Sequence, residues 1–95
     1  MSTIKEVRDE IEKIDSEIMQ LIHNRVGMAA KVLEAKEQEK ININDPSQNS
    51  VVLERAADAA IELNLDVSAV KEIYDILIRM NIERQHELKG EGNLP

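Results

Sequence analysis

The chain has 95 residues, with 12 Lys+Arg against 19 Asp+Glu and a formal net charge of −7 at pH 7. That length holds one domain, and a 42% hydrophobic content is too high for a disordered polyelectrolyte. No apolar run approaches the roughly 18 residues of a membrane span, no cysteine is present for a disulfide, thiolate nucleophile or zinc–thiolate site, and an acidic chain whose one aromatic residue is Tyr74 lacks the basic face and stacking platforms that nucleic acid needs. The opening Met1-Ser2-Thr3-Ile4-Lys5-Glu6 has no apolar signal-peptide core, so a cytoplasmic location is expected.

Thr3-Ile4-Lys5-Glu6 has the form of a capping box, with the threonine hydroxyl accepting from the Glu6 N–H and Glu6 reaching back. From there Ile4, Val7, Ile11, Ile14, Ile18, Leu21, Arg25, Met28, Val32 and Ala35 recur at alternating steps of three and four. This heptad seam predicts one helix from about 3 to 39. Ile41-Asn42-Ile43-Asn44-Asp45-Pro46 breaks it, with Asp45 suited to an N-cap and Pro46 to the first helical position. A second helix, 46–63, turns Val52, Leu53, Ala56, Ala60 and Leu63 inward, and Asn64-Leu65-Asp66 closes it and caps the next. The third, 67–89, buries Val70, Ile73, Tyr74, Leu77 and Ile78 and continues that face through Asn81, Ile82, Gln85 and Leu88. Gly90 and Gly92 end it, leaving a tail, 90–95, expected to fray. With no repeat and no alternating strand pattern, the fold class is all-α in a single domain.

A 37-residue helix is a rod of roughly 55 Å, whereas a compact chain of this size has a radius of gyration of about 12 Å. Two helices of half that length leave much of the seam wet, and such a stripe marks an interface. The expected assembly is an intertwined homodimer with its long helices antiparallel.

The informative residues are polar groups on apolar stripes. Arg25 sits in the seam, and Lys36 follows eleven residues later. At about 100° per residue, both cations fall on one side of the helix, three turns apart, where they can converge on a small anion. Arg8 lies roughly 25 Å from Arg25 along the axis, so only an antiparallel partner can bring it to that site. Asn81 and Gln85, one turn apart, face inward from the third helix. Plainer readings stand beside these. Arg25 can fix dimer register, Lys36 can be solvated charge at a helix end, and the two amides can bond across helices. Gln48 can complete a second capping box with Asp45. His23 and His86 have no partner at ligand spacing and read as surface residues, so no metal site is expected. Met19, Met28 and Met80 read as core or interface filler, and Gly27 as tolerated within the helix.

The set Arg8-x6-Asp15, Arg25, Lys36, Asn44-Asp45-Pro46 and Asn81-x3-Gln85, in a three-helix chain of this length, resembles the all-helical class of chorismate mutases from Val7 to Leu88. The resemblance implies a six-helix homodimer with two equivalent sites and the cofactor-free rearrangement of chorismate to prephenate, on the route to phenylalanine and tyrosine. It also implies roles. Arg25 and a partner's Arg8 hold the substrate carboxylates, while Lys36 and Gln85 donate to the ether oxygen. Asn81 touches a carboxylate or the site's edge, and the Asp45 backbone meets the C4 hydroxyl. Val32, Val52, Ile78 and Ile82 form apolar walls.

One departure stands out. The family usually continues Asp-x-x-Arg-Glu where this chain has Asp45-Pro46-Ser47-Gln48-Asn49. Two charged positions are neutral amides here, which keeps hydrogen-bonding capacity and the local charge balance while weakening the contact to the C4 hydroxyl by about 1 kcal/mol. Weaker binding is the expectation, and an altered substrate the alternative. The competing functions are an isochorismate–pyruvate lyase of the same fold and a non-catalytic helical dimerisation or regulatory module.

Overall fold

Local chemistry sets the helix ends. The computed structural model describes residues 1–91 and contains α1 (Ile4–Gly27), α2 (Ala29–Glu39), α3 (Pro46–Glu62) and α4 (Val67–Leu88). Among the described residues there is no strand. Residues 92–95 of the tail expected to fray, Gly92 among them, lie outside the described residues.

The N-termini of α1, α3 and α4 are each capped by a short oxygen side chain in extended backbone, as an N-cap requires, whereas α2 starts from Met28 in helical backbone with no side-chain cap. Thr3 Oγ1 accepts from the Glu6 N–H at 3.2 Å, Asp45 Oδ1 from Gln48 at 3.3 Å and Asp66 Oδ1 from Ala69 at 3.0 Å. Glu6 differs from the expected box: its carboxylate accepts from the Thr3 hydroxyl. The C-termini close through left-handed residues at Lys40, Asn64 and Gly90, followed by bonds from Ile41 to Lys36 O, Leu65 to Ala60 O and Glu91 to His86 O, each 2.8 Å. This is the Schellman geometry, which glycine and asparagine adopt more cheaply than lysine.

The long rod expected over 3–39 is present but bent. A turn at Met28 separates α1 from α2, where the Met28 N–H bonds to Arg25 O in the tighter i→i−3 pattern at 3.2 Å. The Asn81 side chain, from α4, donates to the same carbonyl at 3.2 Å. A side-chain donor reaching into the helical ladder beside a glycine is an established cause of bending. The molecule extends 56 Å along its major axis, with a radius of gyration of 16.7 Å, so the chain is elongated for its length.

The core sits at one end. α4 packs on α3, on α2 and on the last part of α1. Ala29, Leu33, Ile43, Val52, Ala56 and Ala60 are buried there, whereas α1 buries none of its residues. Small residues at 56 and 60 let α3 and α4 approach closely. Leu63, Ile73 and Leu88, expected inward, are exposed in the single chain, because no other element of the chain lies over those positions. Leu53, Val70, Tyr74, Leu77 and Ile78 are half-buried. No helix among the described residues is long and apolar enough to cross a membrane.

Candidate active site

The bend and the core meet at a cleft of about 310 Å³. From the rod, Arg25, Val32 and Lys36 face into it, spread over three turns. From the start of α3 come Gln48, Asn49 and Val52, and from α4 come Ile78, Asn81, Ile82 and Gln85. The structure thus gathers every candidate site residue except Arg8 and Asp45. Arg8 lies far along α1, outside the cleft. Asp45 is occupied as the α3 cap, with its carboxylate on the Gln48 N–H. A second hollow of about 380 Å³ lies beyond Lys36, but of the candidate residues it takes in Lys36 alone.

Two lining residues escaped the sequence reading. Met28, which reads as filler, lines the cleft because it shares the seam with Arg25 and Val32, and Arg55 joins from the second turn past Gln48. The signal for Arg55 was present in its spacing: seven residues after Gln48, it shares that face of α3.

The polar groups are already organised by backbone contacts. Arg25 Nη1 donates to Leu77 O at 3.0 Å, which ties the middle of the rod to α4. Lys36 Nζ donates to Ile43 O, which draws the α2–α3 loop over the rod. Burial lowers the Lys36 pKa from its ordinary value, and the nearby Asp45 charge partly opposes that shift. A less hydrated ammonium is a stronger donor to any anion that enters.

Asn81 and Gln85 form a directional relay. Only an amide nitrogen can donate to Arg25 O, so Asn81 Nδ2 must face that carbonyl and Asn81 Oδ1 must face Gln85. Gln85 Nε2 donates to Asn81 Oδ1 at 2.6 Å. Gln85 is 1% exposed, and its Oε1 is buried without a hydrogen-bond partner among the described residues. An unmet buried acceptor costs about 1–3 kcal/mol, a cost that a donor on a bound ligand removes. Three cations, four amides and no carboxylate therefore line the cleft. Such a wall suits a small polyanion with an apolar body, and it offers fixed donors rather than a nucleophile.

Comparison with known proteins agrees with this chemistry. The family model described as chorismate mutase type II matches residues 7–86. A chorismate mutase of Methanocaldococcus jannaschii is 36% identical over 88 residues, spanning 93% of this chain and 89% of that protein. A 4-amino-4-deoxychorismate mutase of Streptomyces venezuelae is 24% identical over 75 residues, covering 79% of this chain and 73% of that protein. A bifunctional chorismate mutase/prephenate dehydratase of Aquifex aeolicus is 27% identical over 96 residues, covering 94% of this chain and 25% of that longer protein. No solved structure gives a significant match. The family model spans every side chain gathered in the cleft, and one relative matches nearly end to end; the chain belongs to the chorismate mutase type II family.

Proposed function

We propose that this chain is a cytoplasmic chorismate mutase, converting chorismate to prephenate on the route to phenylalanine and tyrosine. The observation that carries the reading is the convergence of Arg25, Lys36 and Gln85 on one cleft that no carboxylate lines. The reaction is a unimolecular [3,3] shift in which the ether C–O bond breaks as a C–C bond forms. No proton is transferred and no covalent intermediate arises, so neither metal nor cofactor is invoked.

The protein has two tasks. It selects the compact, diaxial conformer of the substrate, and it stabilises charge that builds on the ether oxygen. Arg25 takes one carboxylate in a charge-assisted bond, exchanging its hold on Leu77 O for the ligand. Lys36 and the second N–H of Gln85 donate to the ether oxygen, and one such donor is worth about 3–4 kcal/mol in a water-excluded site. Asn81 sets the angle of Gln85, and Asn49 and the Asp45 backbone meet the C4 hydroxyl. Val32, Val52, Ile78 and Ile82 hold the apolar ring. A neutral hydroxyl fits this wall better than the ammonium of a 4-amino analogue, which would call for a carboxylate.

The functional unit in this reading is a homodimer. α1 carries Ile4, Ile11, Ile14, Ile18 and Leu21 exposed along one seam, and a second copy running antiparallel covers them. The same pairing delivers the partner's Arg8 to the second carboxylate. Incubation of the purified protein with chorismate tests the activity: prephenate forms far faster than in buffer. Loss of chorismate at the buffer rate contradicts the reading, and salicylate plus pyruvate from isochorismate replaces it with the lyase.

A further inference from the structure

The face that α3 turns to the cleft is a stripe of Gln48, Val52 and Arg55, at steps of four and three, with Asn49 beside it. Val52 is buried and forms the floor. Gln48 and Arg55 stand on either side of it, about 10 Å apart along the helix axis.

The arginines of the chain divide by how their charge is met. On α4, Arg79 pairs with Glu83 and Arg84 with Glu87, each along its own helix. Arg55 has Val51 four residues before it and Ala59 four after, so no carboxylate stands at either of those positions. Among the described residues it makes no ion pair and no side-chain hydrogen bond, and Asp58, one turn on, leaves it free. Arg8 and Arg25 likewise pair with no carboxylate there. The unpaired arginines are thus the two given to substrate carboxylates above, together with Arg55.

We propose that Arg55 binds a carboxylate of the dianionic substrate, supplying from two turns along α3 the positive charge that the neutral Gln48 does not carry. The proposal rests on the function proposed above. Lys36 is committed to the ether oxygen, which leaves Arg25 as the other carboxylate anchor within one chain. A guanidinium reaches over Val52 on a long apolar stem and presents a planar pair of donors to a carboxylate. Because the carboxylates keep their charge throughout the rearrangement, Arg55 holds ground state and transition state alike. Its removal therefore raises KM and leaves kcat in place.

Steady-state kinetics on chorismate with the full dimeric enzyme test this, with helix content checked by circular dichroism. Arg55→Gln raises KM about tenfold with kcat within about twofold of wild type, and it flattens the fall of kcat/KM with added salt. Arg55→Lys, which keeps the charge and the fold, gives an intermediate KM. Adding Gln48→Arg to Arg55→Gln lowers KM again, since a guanidinium returns to the same face. An unchanged KM and salt dependence in Arg55→Gln, with normal turnover by the wild type, overturns the role of Arg55 alone. A fall in kcat with unchanged KM also overturns it. A wild type that does not turn chorismate over removes the function and the inference together.

Discussion

The two ends of this molecule carry the same kind of apolar stripe and treat it oppositely. Where α2, α3 and α4 meet, Ala29 and Ala60 are 0% and 1% exposed. Along α1, Ile11, Ile14 and Ile18 remain 51%, 55% and 49% exposed. The difference follows from reach: α3 has 17 residues and α4 has 22, against a molecule 56 Å long. At about 1.5 Å per residue they span roughly 25 and 33 Å. They can cover one end of the rod and form the cleft there, but not the other. An apolar stripe states that a face will be buried without stating which chain buries it.

Breaking the bare end has the largest expected effect. Ile11→Glu with Ile18→Glu places carboxylates on the seam, and in the proposed dimer these charges face one another in a desolvated interface. Sedimentation then shows a monomer, and turnover falls on the order of a thousandfold as the partner's Arg8 and the site's enclosure are lost. A dimer of unchanged strength contradicts that use of the seam. At the covered end, Lys36→Ala removes a transition-state donor while leaving the dimer intact, so kcat drops about a hundredfold. Near-wild-type kcat refutes the donor role.

Asn81 sharpens the comparison because it links the bend of the rod to the cleft. Asn81→Ala frees Gln85 to turn, and kcat falls about tenfold with a smaller change in KM. Asn81→Asp is a poorer replacement than a neutral amide, since a carboxylate cannot donate to Arg25 O. Equal activity in all three proteins shows that the relay does not position Gln85. The smallest expected effect is on the pH profile. Lys36 must be protonated to act as a cationic donor, so activity is full below its depressed pKa and falls as pH rises through it. Asp45→Asn keeps a helix cap but removes the charge that holds this pKa up. The alkaline limb of kcat/KM therefore moves to lower pH, and a limb that stays in place contradicts the coupling.

What could be read from the chain follows the range of each interaction. The caps at Thr3, Asp45 and Asp66 involve residues three apart, so sequence exposes them directly. The cleft residues Arg25, Lys36, Asn81 and Gln85 were visible as polar groups on apolar faces. The bend at Met28 was not, because its second partner, Asn81, lies 56 residues away from Arg25. Arg55 was hidden differently: an arginine on an amphipathic helix looks solvated until the neighbouring helices define which side is a cleft. Leu63, Ile73 and Leu88 obey the helical period but lie beyond the cover that one chain supplies.

Whether one working site draws on two chains is tested most directly by complementation. Arg8→Ala and Lys36→Ala proteins, each lowered in kcat/KM as a homodimer, are mixed and exchanged into heterodimers. One of the two sites then has both Arg8 and Lys36 intact, so the account predicts recovery of up to one wild-type site per heterodimer. No recovery in a confirmed heterodimer contradicts it.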